Sequence, residues 1–103
     1  MKDGADELAW QLKAVGIEMV REYKFHVERR WRLDFASIPA SLGVEVEGGV
    51  FTAGRHSRGA GFTADCEKYA ELAILGWRLI RVTTEQVRNG MALEWIERAL
   101  RAH

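Results

Sequence analysis

The sequence predicts an α/β domain in which a small mixed β-sheet is flanked by helices on both sides, in the order α-β-β-β-α-β-α-α. Three observations carry this. The chain has 103 residues, which suits one domain able to bury roughly 60–70% of its unfolded surface. Segments between residues 19 and 47 alternate apolar and polar side chains, the period of a half-buried strand. The first and last segments place apolar residues at helical spacing instead. The whole chain, 1–103, is read as one domain.

The opening segment, from Asp3 to Val15, carries Leu8, Leu12 and Val15 on one stripe; Asp3 is the expected N-cap and Gly16 the stop. Met19 to Val27 alternates Tyr23, Phe25 and Val27 with polar neighbours, a first strand closed by a turn at Glu28-Arg29-Arg30. Trp31 to Ala36 puts Trp31, Leu33 and Phe35 on one expected face and Arg32 and Asp34 on the other. After a turn around Pro39, Leu42, Val44 and Val46 share a face opposite Gly43, Glu45 and Glu47. Residues 50–62 hold three glycines without strong periodicity and read as a loop. Thr63 is the expected cap of a helix running to Leu75 and closed by Gly76. Trp77 to Val82 reads as a buried strand, Thr83 or Thr84 as the cap of a short helix ending near Asn89-Gly90, and Met91 to Arg101 as a terminal helix with Leu93, Ile96 and Leu100 inward. Trp77 and Trp95 are expected in the core, Tyr69 on the sheet, and Cys66 as a small buried apolar group.

Composition narrows the function. Apolar residues are 48% and charged residues 29%, a globular rather than a disordered balance. No apolar run reaches the ~20 residues that span a bilayer, and the N-terminus lacks the apolar stretch of a signal peptide, so a cytoplasmic location is expected with no membrane partner. A single cysteine, Cys66, forbids an internal disulfide and a cysteine-based zinc centre.

Fifteen basic and fifteen acidic residues cancel, yet their distribution is uneven. Residues 21–32 hold five basic side chains (Arg21, Lys24, Arg29, Arg30 and Arg32) against Glu22 and Glu28. Arg55, His56 and Arg58 follow on the glycine-containing stretch with no acid beside them. Asp34, Glu45 and Glu47 sit on polar phases of otherwise apolar strands. Were the strands neighbours, three carboxylates would converge and repel unless a divalent cation, Mg²⁺ or Mn²⁺, neutralised them. Glu7, at the edge of the first helical stripe, is within reach of the same patch in this reading. The solvent-facing side of an antiparallel sheet would account for the same acids without a metal.

Arg32-Leu33-Asp34-Phe35, followed by Val44-Glu45-Val46-Glu47-Gly48-Gly49, resembles the core of the PD-(D/E)XK nuclease superfamily. Gly76-Trp77-Arg78-Leu79-Ile80-Arg81-Val82 is similar to the strand after the core helix in the very-short-patch-repair-like branch. Gly54 to Gly61 and Asp65 to Tyr69 look like the short phage and prophage endonucleases of that branch, some of them Holliday junction resolvases. The resemblance implies a restriction-endonuclease-like core with Asp34 and Glu45 as metal-binding acids. It implies the Val46 carbonyl as a further ligand and Glu7 as the acid of the first helix. Glu47 stands where the family usually has its lysine, and Lys68 on the following helix is the candidate replacement. Glu47 would instead hold a second metal or accept a proton.

The implied activity is Mg²⁺- or Mn²⁺-dependent hydrolysis of DNA phosphodiester bonds by a homodimer acting on four-way junctions, in recombination or repair. Arg55, Arg58 and His56 would clamp phosphate, with His56 moving a proton, and Arg29, Arg30 and Arg32 would grip flanking phosphates. Two other readings compete: a nicking endonuclease for duplex or mismatched DNA, and a catalytically inactive DNA-binding module.

Overall fold

The structure is a computed structural model that describes residues 3–48 and 60–102. Its elements are α1 (Gly4–Ala14), β1 (Val20–Lys24), β2 (Arg32–Ser37), β3 (Leu42–Glu47), α2 (Ala60–Ile74), β4 (Arg78–Thr83), α3 (Thr84–Arg88) and α4 (Met91–Arg101). The order is the one expected from the sequence. Residues Arg55, His56 and Arg58 lie outside the described residues.

Local chemistry sets most boundaries. Asp3 caps α1 by accepting the Asp6 amide at 2.8 Å. Gly16, at φ 78°, lets the Ile17 amide turn back to the Leu12 carbonyl at 2.9 Å. Gly76, at φ 89°, closes α2 in the same way, the Trp77 amide reaching the Leu72 carbonyl at 3.1 Å. Thr83 and Gln86 form a reciprocal capping box at the start of α3, with bonds of 3.1 and 3.0 Å. The helix α2 begins at Ala60, before the expected Thr63 cap.

The sheet runs β1-β2-β3-β4, antiparallel across the first two junctions and parallel between β3 and β4. The parallel pair requires a long crossover, and α2 lies within it. Leu42 and Val44 on β3 and Val82 on β4 point to one face, where they pack with Phe35, with Leu8 and Leu12 of α1, Val87 of α3 and Ile96 of α4. Leu33, Ala36 and Leu79 pack on the other face with Leu72 and Tyr69 of α2 and with Trp77. Helices therefore cover both faces. Among the described residues no helix is long and apolar enough to cross a membrane.

The β2 alternation departs from expectation. Phe35 joins the α1 face, whereas Leu33 and Trp31 join the α2 face. The change of face falls at Asp34. The paired residues of β2 and β3 run from Ser37–Leu42 to Phe35–Val44, and the Asp34 carboxylate then accepts the Val46 amide at 2.8 Å. A side chain thus takes the place of a main-chain acceptor, and the strand turns there. Across β1, Glu22 adopts φ 51° between the pairs Arg21–Phe35 and Tyr23–Leu33. A left-handed non-glycine residue costs about 1–2 kcal/mol.

Gly43 follows from the same reorientation. A Cβ there would stand 2.7 Å from Cδ1 of Leu33, which is fully buried and has no solvent to turn into. Gly43→Ala should cost about 1–3 kcal/mol of stability by overpacking. Urea unfolding measures it, and an unchanged midpoint would mean that Leu33 has room to move.

Candidate active site

Asp34 and Glu45, on adjoining strands, line one cleft of about 530 Å³ together with Glu22, Arg30, Trp31, Arg32, Asp65 and Lys68. The cleft lies between the divergent end of β2 and β3 and the helix α2. Glu45 is 6% exposed, and both its carboxylate oxygens are engaged. Tyr69 donates its hydroxyl to Oε1 at 2.6 Å, and Lys68 donates its ammonium to Oε2. Consecutive residues of α2 therefore hold one buried carboxylate, which explains how its charge is tolerated.

Glu47 points the same way as Glu45 but is taken by Arg81 of β4, whose Nε donates to Oε2 at 3.1 Å. The Arg81 guanidinium also lies over the Tyr69 ring at 4.9 Å. Burial pushes the Tyr69 phenol well above the usual tyrosine range, and the hydrogen bond to Glu45 adds to that. Burial alone would lower the Arg81 pKa; the hydrogen bond to Glu47 and the nearby negative charge outweigh it and raise the value.

The expected convergence of three acids is therefore not found. Among the described residues no three His, Cys, Asp or Glu side chains gather as a metal cluster. Asp34 and Glu45 share the cleft, while a cross-strand arginine draws Glu47 aside. Glu7 is not among the cleft residues; α1 packs on the opposite face of the sheet, and Glu7 pairs with Arg88 at 3.6 Å.

The basic turn is a layered structure. The Arg29 guanidinium lies over the Trp31 ring at 4.0 Å, and Trp31 stacks on Phe25 with ring centres 6.2 Å apart. Arg29 also reaches Glu67 of α2 at 3.6 Å. Arg32 pairs with Glu22 at 2.7 Å, and Arg30 faces the cleft with no ion-pair partner among the described residues. His26 organises the turn: its Nδ1 accepts the Glu28 and Arg29 amides, each at 3.1 Å, so the ring proton sits on Nε2, 3.1 Å from Glu71 Oε1.

Nothing in the sequence marks Tyr69 or His26 as a site residue, since their roles exist only through contacts with Glu45 and Glu71. Cys66 is exposed rather than buried. Among the described residues of α2 only Leu72 is buried, and residues 60–67 are exposed.

With this geometry in view, the chain is similar in structure to the catalytic domain of the homing endonuclease I-Bth0305I. The TM-score is 0.72 and the identity 20%, and the match covers 100% of this chain and 98% of that one. The fold is thus a nuclease-like α/β fold over the full length. No protein-family model matches the sequence, and no curated protein matches it.

Proposed function

We propose that this chain is a divalent-metal-dependent DNA endonuclease of the PD-(D/E)XK type, in its very-short-patch-repair-like branch. The observation that carries the reading is the pairing of Asp34 and Glu45 in one polar cleft beside Lys68, Arg30 and Arg32. The likeness in fold to a homing endonuclease catalytic domain supports it.

Asp34 and Glu45 present hard oxygen donors with lone pairs beyond those used by Val46, Lys68 and Tyr69, a donor set that suits Mg²⁺ or Mn²⁺. The ion, when bound, supplies a water of lowered pKa and neutralises charge on the phosphate. The Val46 carbonyl belongs to the same proposed ligand set. Glu47, held by Arg81, supports the wall of the site in this reading and supplies no positive charge. Lys68 brings an ammonium to the cleft from α2, in the role that the family's lysine plays from the position of Glu47. Arg30 and Arg32 grip phosphates on either side of the scissile bond, and the Arg29–Trp31–Phe25 stack holds their turn in place. His56, Arg55 and Arg58 remain the proposed phosphate clamp and proton carrier.

The proposed substrate is a four-way junction cut symmetrically by a homodimer. The neighbour is named an endonuclease with no mention of junctions, so a second reading stands beside the first: a nicking endonuclease for duplex or mismatched DNA. A panel of labelled junctions, mismatched duplexes and perfect duplexes with Mg²⁺ or Mn²⁺ separates the two. Paired symmetric nicks in the junction support the first, and equal cutting of perfect duplex overturns it.

Arg30 gives a separate check on DNA contact. Arg30→Gln should weaken binding alike across sequences and reduce the slope of log K against log salt by about 1, as for the loss of one phosphate contact. Fluorescence anisotropy across a salt series measures this. An unchanged slope would remove Arg30 from the interface.

A further inference from the structure

We infer that Tyr69 is a positioning residue for the Glu45 carboxylate and that Lys68 competes with the divalent cation for the same group. The inference rests on the metal reading of Asp34 and Glu45 above. Glu45 is the one charged residue among those described that is buried, and its two donors differ in kind. Tyr69 brings a neutral hydroxyl to Oε1 at 2.6 Å, which fixes the carboxylate and leaves its negative charge intact. Lys68 brings a full positive charge to Oε2. A divalent cation arriving at Glu45 meets repulsion from that ammonium and must share or displace it. Displacement would free Lys68 to turn toward the cleft it already lines. Metal binding and release of the lysine would thus be one event.

The two side chains are neighbours on α2, so a merely structural role would make their removal act in the same direction. The inference gives opposite signs. Tyr69→Phe keeps the ring under Arg81 and within the apolar cluster of the α2 face, removing only the hydroxyl. Loss of such a supporting hydrogen bond weakens metal affinity about tenfold or more. Lys68→Gln retains a polar N–H but no charge, and should tighten Mn²⁺ binding about tenfold.

Calorimetric titration of Mn²⁺ into the wild-type chain, Tyr69→Phe, Lys68→Gln and Asp34→Asn is the test. Thermal unfolding with and without Mn²⁺ follows the same affinities where a variant is too unstable for calorimetry. Weaker binding by Tyr69→Phe with tighter binding by Lys68→Gln supports the inference. Cleavage by Tyr69→Phe should be slow at limiting Mn²⁺ and recover at saturating Mn²⁺. Shifts of the same sign, or none in a wild-type chain that binds Mn²⁺ and loses it in Asp34→Asn, overturn the inference and leave the metal reading standing. A wild-type chain that binds no Mn²⁺, or binds it as tightly as Asp34→Asn, overturns the metal reading and the inference together.

Discussion

Asp34→Asn is expected to abolish cleavage, by about 10³-fold or more, while DNA affinity stays near that of the wild type. Such a rate loss corresponds to about 4 kcal/mol of transition-state stabilisation. The substitution is nearly isosteric, and the asparagine oxygen can still accept the Val46 amide that Asp34 accepts at 2.8 Å. The turn in β2 and the split of Phe35 and Leu33 between the two sheet faces are therefore retained. What disappears is the negative charge that would hold a divalent ion beside Glu45. The DNA grip is proposed for Arg30 and Arg32, which the substitution leaves untouched. A cleavage gel on labelled junctions, run beside an anisotropy measurement on the same DNA, reads both quantities. Full cleavage by the variant would remove Asp34 from the chemistry. Loss of cleavage together with unfolding would show that its role is to hold β2 to β3.

The features legible in the sequence are those set by neighbours in the chain. Asp3, Gly16, Gly76 and Thr83 act on amides and carbonyls a few residues away, and each stands where expected. The β3 alternation also survives intact, because both of its faces are covered: Leu42 and Val44 face α1, and Glu45 faces α2. The β2 pattern fails at one residue for a non-local reason. The Asp34 carboxylate bonds a main-chain amide twelve residues on, and alternation does not encode that bond. The site divides in the same way. Asp34 and Glu45 stand out as acids on apolar strands, but the separation of Glu47 depends on Arg81, which arrives only when β4 lies parallel to β3. Tyr69 is indistinguishable from any packed tyrosine until α2 is laid over Glu45.

Removing Glu45 or Lys68 singly should destabilise the fold by about 3 kcal/mol, whereas removing both should cost far less than the sum. Glu45→Leu leaves the Lys68 ammonium in a site where its side chain is 16% exposed, and Lys68→Leu leaves the carboxylate, 8% exposed, with only the Tyr69 hydroxyl. An unpaired charge in such a place costs about 3–5 kcal/mol when buried, and the residual exposure places this pair at the low end. Replacing both charges with leucine removes the desolvation penalty and adds apolar contact beside Tyr69, which packs on the apolar cluster of that face, so the double variant should fall within about 1 kcal/mol of wild type or above it. It should also bind no Mn²⁺ and cut no DNA. Urea unfolding of the four proteins of the cycle, with cleavage measured on each, checks both halves. A double variant as unstable as the two losses added together would show that Glu45 and Lys68 act independently. A double variant that is stable and inactive would mean that the buried ion pair is kept for its chemistry, since the fold stands as well without it.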